Sequence, residues 1–499
     1  MEPASLLSTR REFLHLAGGA LALTLGSPRL ARADKSAEPL NVLLFTADDL
    51  HYRSLGCFDG APKDLTPNMD AFAEKGMRFH RAHVNAAICM PSRIVLATGL
   101  YGHNSGAMGF VNAREGTPNA IDIFQKAGYL AGILGKVPHS TPCRSNKWDY
   151  SFDQPQLGNG RDPELYFQRC ADFFARCKRE KKPFYFMVNS HDPHRPFHVP
   201  GKPIPGAKEP SRVYEPADVT VPGFLPDLPG VREEFCTYLN SARRCDDTFG
   251  RVMQALKESG FEDRTLVMFL SDNGISMPFA KANCYLASTR TPWIVRWPGV
   301  VKAGACDREH FISGVDYLPT VLEAVGIAAP KRLDGRSFLP LLKGQPQDGR
   351  DAVFTQIDRL SSGSAFPMRC VQTERYGYIF NAWSDGTTTY SNANEGMTMR
   401  AMNEAAKTDA AIAERVRMFR NRALEEFYDL REDPDCLKNL INEPKLRKER
   451  DALVATLRAW MAETGDPLLK AFDSRQDEAA RKKAMRGIFD AKPKATAGE

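Results

Sequence analysis

The chain has 499 residues, more than a single hydrophobic core serves well, so two or three domains are expected. With 42% hydrophobic and 26% charged residues it has the balance of an ordinary globular protein, which excludes a disordered, collagenous or membrane-embedded chain. A formal charge of +6 is too mild over this length for a dedicated nucleic-acid binder, and 11 cysteines, an odd count, cannot all be paired.

The first element in chain order is a targeting segment. Arg10-Arg11 precedes an apolar run from Leu16 to Leu25, and Ala31-Arg32-Ala33 offers a small-residue cleavage site. This reads as a Tat-type export signal over residues 1–33, which places the mature protein in the periplasm or outside the cell. The run is too short to cross a bilayer, and no later stretch reaches the roughly 18 apolar residues of a membrane span. The mature chain is therefore expected to hold no integral membrane segment.

Residues 40–350 carry one recurring pattern, a short apolar run that ends in a polar cluster. Asn41 to Thr46 ends at Asp48-Asp49, and Tyr129 to Leu134 ends at Gly135-Lys136 and His139. Pro183 to Val188 ends at His191-Asp192-Pro193-His194, and Thr265 to Leu270 ends at Ser271-Asp272-Asn273-Gly274. Continuous apolar runs of this length suit strands buried on both faces. Helical spacing separates them over Asn68 to Lys75, Asn119 to Ala127, Pro163 to Arg179 and Arg232 to Ser259. The alternation predicts an α/β fold with a large, mostly parallel central sheet flanked by helices. Ligands gather at the carboxyl ends of such strands, where all four polar clusters fall. Pro193 to Pro229 is expected to be an ordered surface loop bordering the site.

From residue 351 the pattern changes. Val353 to Ile357, Met368 to Thr373 and Tyr376 to Phe380 read as shorter strands, the last two as an antiparallel pair. Ala405 to Phe427 is predicted helical, as is Lys445 to Glu463 with apolar Leu446, Leu453, Leu457 and Trp460. Residues 351–473 thus form a smaller C-terminal α+β domain with an antiparallel sheet. Residues 474–499 form a basic tail, a solvated helix fraying into disorder. About +2 of the net charge lies in the signal and +3 in the tail, so the body between them is near neutral.

Two constellations carry chemistry. Asp48, Asp49, Asp272 and Asn273 offer three carboxylates and an amide oxygen at strand ends, a donor set for Ca²⁺ or Mg²⁺ and not for thiolate-seeking metals. Helix capping and turn formation are the plainer uses of each pair alone. The second is Cys89-Met90-Pro91-Ser92-Arg93 with Thr98-Gly99 downstream. Pro91 and Ser92 can open a helix and Gly99 close it, leaving Cys89 at the helix N-terminus, where a thiolate or a bound oxyanion is favoured. A buried structural cysteine fits the same local chemistry.

The Cys-x-Pro-Ser-Arg segment with its Thr-Gly resembles the signature of the type I, formylglycine-dependent sulfatases. The resemblance extends in family order to Asp48-Asp49, to Gly135-Lys136-Val137-Pro138-His139, to Ser190-His191-Asp192-Pro193-His194, and to Ser271-Asp272-Asn273-Gly274 with Lys281. It covers about Leu40 to Leu469 and implies an alkaline-phosphatase-like sulfatase fold. Within the family the chain resembles the N-sulfoglucosamine sulfohydrolase branch through His191 to Arg195, Tyr214 to Val219, Pro367 to Gln372, and Phe427-Tyr428-Asp429-Leu430 with Asp433-Pro434. Two departures stand out. Lys281 replaces an arginine and cannot form a bidentate fork, and the Gly-Lys-x-x-His spacing is closer to iduronate-type sulfatases.

The resemblance implies a sulfatase that hydrolyses sulfate from N-sulfoglucosamine of heparan sulfate or heparin. An O-sulfatase on another sulfated glycan, or a phosphoester hydrolase of the same superfamily, is the alternative. It implies that Cys89 is converted to formylglycine by a formylglycine-generating enzyme, and that Asp48, Asp49, Asp272, Asn273 and residue 89 hold one Ca²⁺. One hydroxyl of the hydrated aldehyde would attack sulfur; loss of a proton from the second would let the ester collapse, reforming the aldehyde and freeing sulfate. Arg93, Lys136 and Lys281 would neutralise sulfuryl oxygens, His191 would protonate the leaving group, and His139 would act as base. Asp192, His194 and Arg195 would contact sugar, Arg195 meeting a uronate or a second sulfate. Conversion of Cys89 leaves ten cysteines, an even number that permits full pairing after export. A dinuclear-metal phosphoryl-transfer enzyme is disfavoured by the few histidines near Asp48 and Asp272. A noncatalytic carbohydrate-binding relative is disfavoured because no expected element is missing.

Overall fold

The computed structural model describes residues 38–60 and 62–489. The expected export signal and the last ten residues lie outside them. Among the described residues fourteen strands form: β1 (Asn41–Ala47), β2 (Met77–Phe79), β3 (Ala82–His83), β4 (Leu130–Leu134), β5 (Tyr150–Phe152), β6 (Phe184–Asn189), β7 (Thr265–Ser271), β8 (Trp293–Arg296), β9 (Ala305–Asp307), β10 (Ile312–Ser313), β11 (Ala352–Arg359), β12 (Ala365–Thr373), β13 (Tyr376–Asn381) and β14 (Glu425–Asp429).

Eight of them make the central sheet in the order β5-β4-β6-β1-β7-β8-β2-β9. The four apolar runs read from the sequence are its adjacent strands β4, β6, β1 and β7, all parallel. Only β8 runs against the others. Alternate residues of these runs enter two different cores. Leu43, Phe45, Phe186 and Phe269 pack against Phe173, Phe174 and Phe249 of the helices Pro163–Glu180 and Pro229–Glu258. Val42, Leu44, Met187 and Met268 face Phe124 and Leu318 of the helices Ala120–Lys126 and Tyr317–Ala324. With helices on both faces, every residue of the four strands is buried, and therefore the runs lack polar alternation.

Strands β11–β14 form the antiparallel C-terminal sheet. On one face Val371, Tyr378, Phe380 and Phe427 cover Leu453, Leu457 and Trp460 of the helix Arg447–Thr464. On the other, Ile357, Met368, Cys370 and Tyr428 join the core that lies under β1. The expected helix over Ala405 to Phe427 needs correction. It is two helices, Met397–Ala405 and Ala410–Asn421, followed by β14, whose Glu425–Asp429 pair with Tyr376–Phe380. Tertiary pairing overrides local helical spacing there, because buried Glu426 receives hydrogen bonds from Tyr285, Tyr428 and Asn381. Beyond residue 474 the helix Glu478–Met485 carries the basic run, with Arg481 buried and donating to Ser384 O at 2.9 Å. All 11 cysteines are free thiols. Among the described residues no helix is long and apolar enough to cross a membrane.

Candidate active site

The parallel order of β4, β6, β1 and β7 brings four chain segments to one sheet edge. At the end of β1, Asp49 takes a left-handed conformation (φ 69°), which turns it back beside Asp48. After β4, Gly135 (φ 67°) and Lys136 (φ 51°) make a tight reversal. A side chain at Gly135 would run into Asn189 O, so only glycine fits. The helix Cys89–Thr98 begins one residue after Ile88, which gives no side-chain cap, and Gly99 closes it at φ 65°. Ser92 is therefore inside the helix and not its opening residue, while Cys89 does lie in the first turn.

Charge is nearly balanced in the cluster that results. Lys136 Nζ pairs with Asp48, Lys281 Nζ lies 2.6 and 2.7 Å from the two Asp49 oxygens, and Arg93 holds Asp272 at 2.7 and 2.9 Å. Arg93 Nη1 also donates to Thr46 Oγ1 and Asn189 Oδ1, both at 2.6 Å. All these groups are buried. Burial opposes the Asp48 charge, but Lys136, His194, Arg93 and Lys281 outweigh it and hold its carboxyl well below the usual range. Burial pushes Asp272 up to about 7 despite Arg93.

Cys89 Sγ lies 3.3 Å from Asp48 Oδ1 and 4.0 Å from Asp49 Oδ1. Burial, then the Asp48 charge, pushes its thiol well above its ordinary value. The helix N-terminus is thus outweighed, and residue 89 in its cysteine form is a protonated thiol, a weak nucleophile.

The donors fit a metal ion. One ligand atom from each of Asp48, Asp49, Cys89 and His194 lies within 4.8 Å of the others. Asn273 Nδ2 donates to Asp49 Oδ1 (2.6 Å) and Gly274 O (2.8 Å), while its Oδ1 is buried without a partner. An orphaned amide oxygen beside carboxylates is a ready ligand for a hard cation.

A cavity of about 430 Å³ opens on this cluster. Cys89, Lys136, His139, His191, His194 and Lys281 line it, so six expected residues meet there. His194 Nε2 lies 4.0 Å from Asp49 Oδ2, and its Nδ1 is 2.6 Å from Arg195 O. His191 is more deeply buried, its Nδ1 unpartnered and packed against Gly160. Burial and then Lys136 lower His139 to about 3 and His191 well below its ordinary value; burial and then Lys281 lower His194 to about 4.

Asp192 and Arg195 lie outside the lining. The Asp192 carboxylate is gripped by Arg244 at 2.6 and 2.9 Å and by Arg161 at 3.3 Å, and its carbonyl accepts from Asp48 N. Arg195 pairs with Glu234 at 2.7 Å and donates to Ser276 O. The reading from sequence missed these partners, and also Asn189, Phe110 and Ser276. Asn189 sits two residues before His191, at the strand end, and was findable by position. Arg161 and Arg244 have no local mark that separates them from surface arginines.

Residues 40–327 match the model of the sulfatase family, and residues 276–417 match that of the N-sulphoglucosamine sulphohydrolase C-terminal region. The chain belongs to the sulfatase family. It is a sulfuric ester hydrolase by that membership. Human N-sulphoglucosamine sulphohydrolase is 29% identical, over 92% of this chain and 96% of its own. An ulvan-active sulfatase of Formosa agariphila is 28% identical, over 88% and 83%. A solved structure described as a complex with its substrate D-glucosamine-2-N,6-O-disulfate shares the fold at a TM-score of 0.64. It is 18% identical, over 86% of this sulfatase and 98% of that chain.

Proposed function

We propose that this sulfatase removes N-linked sulfate from N-sulfoglucosamine residues of heparan-type glycans, after export by its twin-arginine signal. The observation that carries the reading is where the branch-specific match falls. Residues 276–417 supply Ser276, Lys281, Ser361, Asn392 and Ala393 to the cavity lining. The segment that matches the C-terminal model of that branch thus shares the cavity lining with Cys89. The 29% identity to the human enzyme over nearly both full lengths supports it.

In this reading Asp48, Asp49, Asp272, Asn273 and residue 89 hold Ca²⁺, which supplies positive charge to a sulfate oxygen and to the nucleophile. Residue 89 acts as formylglycine after conversion of Cys89 by a formylglycine-generating enzyme. Lys136 and Lys281, now engaged with carboxylates, become available to sulfuryl oxygens once a cation satisfies those carboxylates. Arg93 is held by three partners, Asp272, Thr46 and Asn189, and keeps Asp272 in place. His139, neutral because burial and Lys136 depress it, suits a base.

For the leaving-group proton the geometry favours His194 over His191. His194 approaches the Asp49 carboxylate and is only half-buried at the cavity, whereas His191, also in the lining, is buried. Burial and then Lys281 depress His194, and an anionic sulfuryl group beside Lys281 would act in the opposite direction.

The test is sulfate release from N-sulfoglucosamine against N-acetylglucosamine-6-sulfate. Turnover of the N-sulfated sugar at least ~10-fold faster in kcat/KM is expected, since an interaction lost at the leaving group costs about that much. A preference for the O-sulfated sugar moves the enzyme to an O-sulfatase class, as the longer Gly-Lys-x-x-His spacing and Lys281 would then explain.

A further inference from the structure

Glu234 is a buried carboxylate that both meets the N-terminus of a helix and pairs with Arg195 beside the site. It stands on the helix Pro229–Glu258 and is 3% exposed. Its Oε1 accepts from Arg195 Nη1 at 2.7 Å and from Met397 N at 3.0 Å, and its Oε2 accepts from Thr398 N at 2.8 Å. Arg195, stacked 4.4 Å over the Phe197 ring, also gives two hydrogen bonds, 3.0 and 3.2 Å, to Ser276 O.

The pair therefore fastens three cavity-bordering segments to one another. The first is the His191–Arg195 turn after β6, the second the Ser276 loop after β7. The third is the chain entering the helix Met397–Ala405, which directly follows the cavity residues Asn392 and Ala393. Gly396 makes the junction. It has φ 101°, and a side chain there would strike Glu234 and lie 3.1 Å from Arg195 Nη2.

We propose that Arg195 and Glu234 are positioning residues. They set the Ser276 and Asn392–Ala393 walls against which the sugar lies, and so govern sugar recognition but not the chemistry on sulfate. This replaces the expectation that Arg195 itself meets a uronate or sulfate. It rests on the reading of the cavity as a sulfated-sugar site.

The test compares Glu234→Gln, Arg195→Lys and wild type on two substrates, N-sulfoglucosamine and 4-nitrophenyl sulfate, whose flat ring does not need the sugar walls. Both variants are expected to raise KM for the sugar ~10-fold with kcat within ~2-fold, with an unchanged pH profile, and to leave aryl sulfate turnover unchanged. Circular dichroism and thermal midpoints establish that each variant is folded. If Arg195→Lys alone raises KM, Arg195 contacts sugar directly and the proposal falls, because buried Glu234 cannot. An equal loss of kcat on both substrates, or a shifted pH profile, also overturns it. Failure of wild type to use N-sulfoglucosamine while it hydrolyses the aryl ester refutes the substrate reading instead.

Discussion

Cys89 faces Asp48 across 3.3 Å, and each histidine at the cavity is held neutral by burial and nearby ammonium groups. Roles at this scale follow from which atoms reach the cavity. His194→Ala is expected to cut kcat on N-sulfoglucosamine by ~10²–10⁴, the usual contribution of a general acid. It should cost far less on 4-nitrophenyl sulfate, whose phenolate leaves without a proton. His191→Ala should show no such dependence on leaving group; steady-state kinetics on the two substrates decide between the two histidines. Residue-level legibility was uneven for a physical reason. Asp48, Asp49, Asp272 and Asn273 were readable because a strand end places adjacent residues at the site. Asp192 and Arg195 are equally adjacent, yet their charges are taken by Arg161, Arg244 and Glu234, partners that only folding brings near.

Among the elements, the turns after β4 and β6 matter most. The His191–His194 turn is pinned from outside by the Asp192–Arg244 pair, both groups essentially unexposed. Arg244→Met leaves the Asp192 carboxylate buried with Arg161 alone. Loss of ~3 kcal/mol in unfolding free energy is expected, measured by urea denaturation, with affinity for the proposed Ca²⁺ reduced because Asp48 N hangs on Asp192 O. An unchanged urea midpoint would mean that Arg161 suffices. The four central strands and their flanking helices were legible because burial on both faces leaves long unbroken apolar runs. Strand β14 was not. Glu425-Glu426 looks like an exposed helical surface, and the hydroxyls of Tyr285, Tyr378 and Tyr428 with Asn381, Arg475 and Gln476 make those carboxylates acceptable in a sheet.

For the whole molecule, buried histidines tie stability to pH. Burial and then Arg290 lower His83 from its ordinary 6.5 to about 3. Its neutral form is the one that folds, so its contribution is complete above pH 6.5 and is lost progressively as pH falls from 6.5 toward 3. Between pH 7 and 5 this removes about 2 kcal/mol. Asp246, raised to about 7 by burial against the Met69 and Asn68 donors, works in the opposite sense: its contribution fades as pH rises toward 7. The wild-type slope is thus a net of these two and of the other shifted groups, among them His51, lowered to about 3 by burial and then Arg53, and His83→Gln isolates one contribution. Its unfolding free energy should fall about 2 kcal/mol less than wild type's between pH 7 and 5. Parallel profiles would show that His83 titrates normally. Across the molecule the near-neutral body means that, under the proposed function, recognition of a polyanionic glycan would rest on Lys136, Lys281 and the proposed cation, not on overall charge. The account stands or falls at residue 89, and the direct measurement is the mass of the peptide containing it, taken from protein produced with the maturation machinery. An aldehyde or its hydrate in place of the thiol is predicted, with specific activity proportional to the converted fraction. Full sulfatase activity in protein that retains an unmodified Cys89 thiol would contradict it.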